Sequence, residues 1–136
     1  MIVKHFTKIL YVCGILTMLP IVFFFLPWPM FSLMGISMTP NTGILFAKHW
    51  GLLAASFGGL LFYSAMHPEL RRPVVIAAAI EKLGLCVIIA VGWNDPGFAA
   101  FRPALFIDGL MVLLFGLYLL SGGEPDRTRL FADSRR

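Results

Sequence analysis

The sequence predicts an all-α membrane protein, a polytopic bundle of four transmembrane helices, and three observations predict it. Of the 136 residues, 59% are hydrophobic and 13% charged, where a soluble domain is roughly half apolar and about a quarter charged. The apolar residues gather in four runs long enough to cross a bilayer. The basic residues gather in the links on one side of those runs.

The first run, residues 9–26, reads ILYVCGILTMLPIVFFFL. The basic MIVKHFTK before it is like the n-region of a signal peptide. The run outlasts an h-region, however, and no small-x-small cleavage site follows it. It is read as a signal anchor and as the first helix of the bundle. Pro20 lies inside it and should kink it, because proline removes one backbone hydrogen bond and clashes with the preceding turn. Membrane helices tolerate such a kink where neighbours satisfy the freed carbonyl.

The next segment, residues 27–43, is the longest link. Its MFSLMGISM stretch is apolar and should lie along the outer surface as a short helix or re-entrant turn. The second run follows at residues 44–66. It carries small residues four apart, Ala47, Gly51, Ala55 and Gly59, widened by Ala54 and Gly58. Such a ridge lets another helix approach closely. A partner within the chain is the expectation, with Gly109 and Gly116 of the fourth run as candidates to face it; a homodimer through the ridge is the alternative.

The short link HPELRRP leads to the third run, residues 73–93, and should make the second and third helices a tight hairpin. The link NDPGFAAFR opens with the turn residues Asn94, Pro96 and Gly97. The fourth run is residues 103–121, and the polar tail after it, residues 122–136, is expected to be flexible. At ~1.5 Å per residue the four runs span ~27–35 Å, against a hydrocarbon core of ~30 Å. The chain reads as a single membrane domain.

Lys4, Lys8, Arg71, Arg72, Arg127, Arg129, Arg135 and Arg136 all fall on one side of this topology. The positive-inside rule places that side, and both termini, in the cytoplasm. Trp28, Trp50 and Trp93 fall at the opposite boundary, and Tyr11, Tyr63 and Tyr118 near the basic one, in the interfacial belts such rings prefer. The net charge of +4 is therefore a topology signal. It forms no interleaved basic–aromatic surface, which argues against nucleic acid; the lipid bilayer is the expected partner.

The third run holds the anomaly. AAAIEKLGLCVIIAVGW is apolar except for Glu81 and Lys82. Lys82 lies ~13 Å from the basic boundary, near the midplane. Two central charges cost about 5–7 kcal/mol, and the ten Val, Ile and Leu residues of this run return about 3–6 kcal/mol. The helix is marginal alone and must be sheltered, with Glu81 or Lys82 facing the interior and the second helix supplying cover. Adjacent residues project ~100° apart and pair poorly with each other. Lys82 shares a stripe with Ala78, Cys86 and Ile89; Glu81 shares one with Ala77, Gly84 and Ile88. Lys82 could snorkel part of the way toward the basic side.

His49 and Asp108 enter from the other end, each ~8 Å below the outer surface, and a hydrogen bond between them is expected. Lys48 should snorkel outward. His49, Glu81, Lys82 and Asp108 are thus the candidate polar track, with Trp50 and Phe46 beside it as rings to stack on a ligand. Ionisable residues inside a membrane are functional candidates by default; the alternative is a polar network that fixes helix register.

Sharper chemistries fit less well. Haem needs paired ligands at one depth, which His5, His49 and His67 do not offer convincingly. Metal ligands do not cluster, and no nucleophile is placed for a covalent triad. Cys13 and Cys86 differ by ~12 Å in depth, too far for a disulfide, whose Cα atoms come within ~7 Å. No CxxC is present. A dimeric small multidrug pump has similar size and helix count, but the Glu such pumps carry in their first helix is absent from residues 9–26.

TPNTGILFAKHWGLLAASFGGLLFYSA followed by HPELRRPVVIAAAIEKLG resembles the small bacterial four-helix membrane proteins of the DoxX-like group, over most of residues 8–121. The resemblance implies an accessory or quinone-contacting role beside quinone-linked oxidoreductases and assigns no residue. Three functions follow: an accessory or scaffold subunit of a membrane complex, a binding protein or enzyme for a lipophilic small molecule such as a quinone, and a proton-coupled transporter with Glu81 as carrier. Neither an enzyme activity nor a cofactor is specified.

Overall fold

The structure is a computed structural model that describes residues 2–37 and 40–122. The tail expected to be flexible lies outside the described residues from position 123 on. The described residues form six α-helices: α1 (Ile2–Met18), α2 (Val22–Phe25), α3 (Pro27–Leu33), α4 (Pro40–Met66), α5 (Arg71–Val91) and α6 (Arg102–Leu120). Four stretches are long and apolar enough to cross a membrane: His5–Phe25, Thr42–Met66, Pro68–Val91 and Pro96–Leu120. The protein is an all-α four-helix membrane bundle.

Pro20 acts as its chemistry demands. A 3₁₀ turn, Leu19–Ile21, separates α1 from α2, so the first span is a helix broken at its proline. The long link becomes α3, anchored by Phe31, which is buried against Phe23 with ring centroids 5.5 Å apart. Asp95 starts the short 3₁₀ helix Pro96–Phe101 by accepting a 2.8 Å hydrogen bond from the Gly97 N–H. Helices α4 and α5 begin a few residues before their apolar runs, because backbone hydrogen bonds do not stop where hydropathy does.

The helices pair as α1 on α4 and α5 on α6, and the two pairs meet through the lesser α4–α5 and α1–α6 contacts. The 3₁₀ turn Pro68–Leu70 joins α4 to α5 tightly, yet α4 packs chiefly on α1 rather than on its hairpin neighbour. Glycines explain this. A Cβ on Gly58 would lie 2.6 Å from the Gly14 carbonyl oxygen, and one on Gly51 would lie 2.6 Å from that of Pro20. The α1–α4 backbones therefore touch, as small residues permit in lipid.

The stripe expected at Ala47, Gly51, Ala55 and Gly59 is used in part. Ala47 and Gly51 are buried, whereas the contact continues through Ala54 and Gly58. Ala55 is half-buried, and a Cβ on Gly59 would meet nothing within 4 Å. A close contact along a straight pair drifts from a strict four-residue spacing because a turn holds 3.6 residues. Gly109 and Gly116 also meet nothing within 4 Å, so they do not face the ridge.

Two apolar clusters form the core. The larger lies at the end of the bundle that carries Ile2 and Leu120, here the terminal end, and includes Phe6, Leu10, Leu61, Val75, Phe115 and Tyr118. Phe6 stacks on Tyr118 at 3.7 Å and meets Phe115 edge-on at 6.5 Å. The smaller cluster, Phe23, Phe31 and Ala47, lies at the opposite loop end.

Arg71, read from sequence only as a topology charge, is 3% exposed. Its Nε donates to the Ser64 carbonyl at 3.0 Å, and its Nη2 donates to the Ala65 carbonyl at 2.7 Å and to Thr7 Oγ1 at 2.9 Å. The guanidinium thus caps the C-terminal carbonyls of α4, where a cation also complements the helix dipole, and ties α1 to the same point.

A candidate functional site between the helix pairs

The buried face of α5 is Arg71, Val75, Ala78, Lys82, Cys86 and Ile89. This is the stripe that contains Lys82, so the ammonium points into the bundle. Helix α6 buries Asp108, Met111, Phe115 and Tyr118. The antiparallel pairing of α5 and α6 sets Cys86 beside Leu105, with Sγ 3.7 Å from its carbonyl, and Lys82 beside Asp108 one turn away. Lys82 Nζ donates to Asp108 Oδ1 at 2.8 Å. Their side chains are 4% and 11% exposed.

This geometry differs from the sequence expectation at two residues. Asp108 was expected to meet His49; it meets Lys82, and His49 lies on an exposed face of α4. Of the two residues that could face the interior, Lys82 does so, and a partner at contact distance holds it there in place of partial snorkelling. The physical reason is the same. A lone ammonium and a lone carboxylate in hydrocarbon gain more from one another than either gains from partial hydration. Lys48 does reach outward and lies 5.9 Å from the centre of the Phe24 ring.

Glu81 joins the pair at its edge. Its Oε2 is 3.9 Å from Lys82 Nζ, a long ion-pair distance for adjacent residues. The side chain as a whole is 27% exposed, but Oε2 is buried and has no hydrogen-bond partner.

A cavity of about 130 Å³ surrounds the cluster, and all four spans line it: Thr17 and Pro20, Trp50 and Ala54, Glu81 and Lys82, and Asp108 among them. An apolar cavity of about 240 Å³ adjoins it toward the loop end, lined by Phe31, Phe46, Ile88, Phe98 and Phe101. Trp50 and Leu85 line both cavities and form the wall between them. Trp50 is held by Phe23 at 5.3 Å and Phe101 at 6.2 Å. Of the sequence candidates, then, Glu81, Lys82, Asp108 and Trp50 converge, with Phe46 in the adjoining cavity, and His49 does not.

Thr17 was not singled out from sequence. It is 4% exposed, and its Oγ1 lies 3.8 Å from Met111 Sδ. A signal existed, since Thr17 and Tyr11 carry the only hydroxyls of residues 9–26. Leu16, Leu85 and Ile107, which close the cavity walls, carried no signal at all. They are aliphatic residues in aliphatic runs.

A buried lysine–aspartate pair, a carboxylate at its rim and two adjoining cavities define the class: a small polytopic membrane protein with a charged chamber between two helix pairs. Comparison with protein-family models, with curated proteins and with solved structures finds no match. The functional reading therefore rests on the chamber.

Proposed function

We propose that the protein binds a small amphiphilic molecule taken from the bilayer. One observation carries this reading: the 240 Å³ apolar cavity and the 130 Å³ charged cavity share Trp50 and Leu85 as a common wall. An apolar body would rest against Phe46, Trp50 and Ile88 while a polar group reaches Lys82 and Glu81. Ligand sites have this character, mostly apolar with a few placed polar groups. A charge cluster that served only as structural glue would need no cavity beside it.

The reading includes an orientation. Lys8 and Arg72 lie exposed at the terminal end, which supports cytoplasmic termini in a bacterial inner membrane.

Native mass spectrometry of the gently solubilised protein tests the proposal. The expected result is a reproducible small-molecule adduct on the 15.1 kDa chain, lost when Leu85→Trp fills the shared wall while helix content is kept. A bare chain, or a complex with other proteins and no small molecule, would overturn it in favour of an accessory or scaffold role.

A further inference from the structure

Within that reading, which this inference rests on, we propose that the ligand is a lipophilic monocation, an organic ammonium with an apolar body. Charge counting points to it. The chamber holds two carboxyl groups, Glu81 and Asp108, and one ammonium, Lys82. Asp108 is matched by Lys82 at 2.8 Å, so the ionised cluster carries one surplus negative charge, on the Glu81 side. An uncompensated charge in a low-dielectric interior is costly. An anionic ligand would add to the surplus, and a neutral one would leave it in place. A monocation cancels it.

The surroundings fit an organic cation rather than a hydrated inorganic one. Glu81 Oε2 is buried without a hydrogen bond, an acceptor left open at the edge of the chamber. Trp50 lines the same cavity, and the adjoining cavity adds Phe31, Phe46, Phe98 and Phe101 without a charged residue. Aromatic faces attract organic cations, tryptophan most strongly. The volume of 240 Å³ corresponds to about eight waters at ~30 Å³ each, room for one ring-sized body. The charged cavity takes only a compact head.

The test compares two probes of one shape: benzyltrimethylammonium and neopentylbenzene, in which a carbon replaces the charged nitrogen. Binding is read from Trp50 fluorescence in zwitterionic nanodiscs, with Trp28→Phe and Trp93→Phe removing the other two indoles, and is corrected for partition into empty discs. The ammonium is expected to bind at least ten-fold more tightly than its isostere. Glu81→Gln should abolish that preference and leave neopentylbenzene binding within two-fold. A preference below ten-fold in the unmutated chamber, or one that survives Glu81→Gln, overturns the cation assignment. The comparison in the unmutated chamber needs no charge variant to fold. Equal binding of both probes defeats this inference alone, whereas binding of neither defeats the amphiphile reading and this with it.

Discussion

The two ends of the bundle are built from the same kinds of helix and solve opposite problems. At the terminal end Phe6, Leu10, Leu61, Val75 and Phe115 are fully or almost fully enclosed. Arg71, buried there, donates to the Ser64 and Ala65 carbonyls and to Thr7 at 2.7 to 3.0 Å. Toward the loop end two cavities lie between the helix pairs. The charge cluster there, Lys82, Asp108 and Glu81, leaves Glu81 Oε2 buried without a hydrogen bond. An apolar cavity of about 270 Å³ between α1 and α6 also flanks the terminal cluster, so the ends differ in the chemistry that lines their spaces rather than in having space at all. The difference separates what stabilises this molecule from what it can bind.

The largest effect should come from breaking the charge pair. Lys82→Met strands Asp108 and is expected to cost about 3–5 kcal/mol, measured by denaturant titration in detergent. Adding Asp108→Leu should recover most of that loss. A double variant as unstable as the single one would mean that the pair is not the source of the cost.

Truncating one side chain at each end contrasts them directly. Phe115→Ala opens a void in a close-packed core and should cost about 3–5 kcal/mol. Leu85→Ala merely enlarges space already present, so it should fall near the bottom of the ~2–5 kcal/mol range for Leu→Ala. Equal melting shifts for the two would erase the distinction between the ends. Arg71→Met removes donors from two helix-terminal carbonyls and should cost about 1.5–3 kcal/mol, as hydrogen bonds to charged groups do. Unchanged protection of the α4 C-terminus in hydrogen exchange would contradict the cap.

The smallest effects concern neighbouring glycines. Gly58→Ala must push α1 from α4 and should cost about 1–3 kcal/mol, as overpacking does. Gly59→Ala meets open space and should be neutral or stabilise by up to about 1 kcal/mol. Thermal melts of the two variants side by side distinguish the two glycines.

Much of the fold was legible along the chain. The four spans, the break at Pro20 and the turn over Asn94–Gly97 follow from local chemistry: hydropathy sustained over a bilayer's thickness, a missing N–H, residues that favour turns. Helical periodicity placed Ala78, Lys82, Cys86 and Ile89 on one face of α5, but only the packed bundle shows that this face, and not the one with Glu81, turns inward. The small-residue contact was legible as a tendency, but its track was not; only the docked helices show that it passes through Gly58 and not Gly59.

The site divides in the same way. Sequence alone determined that Glu81, Lys82 and Asp108 are charges inside membrane spans, since position within an apolar run is a property of one segment. Which charge meets which was decided by tertiary structure. The partners lie 26 residues apart, and their meeting depends on the rotation and register of α5 against α6, which no single span specifies. His49 and Asp108 have similar depths from their own helix starts, yet equal depth does not make two side chains neighbours. The cavities were decided at the same level. A void is what several helices fail to fill together, so Leu16, Leu85 and Ile107 become its walls only after α1, α5 and α6 have packed.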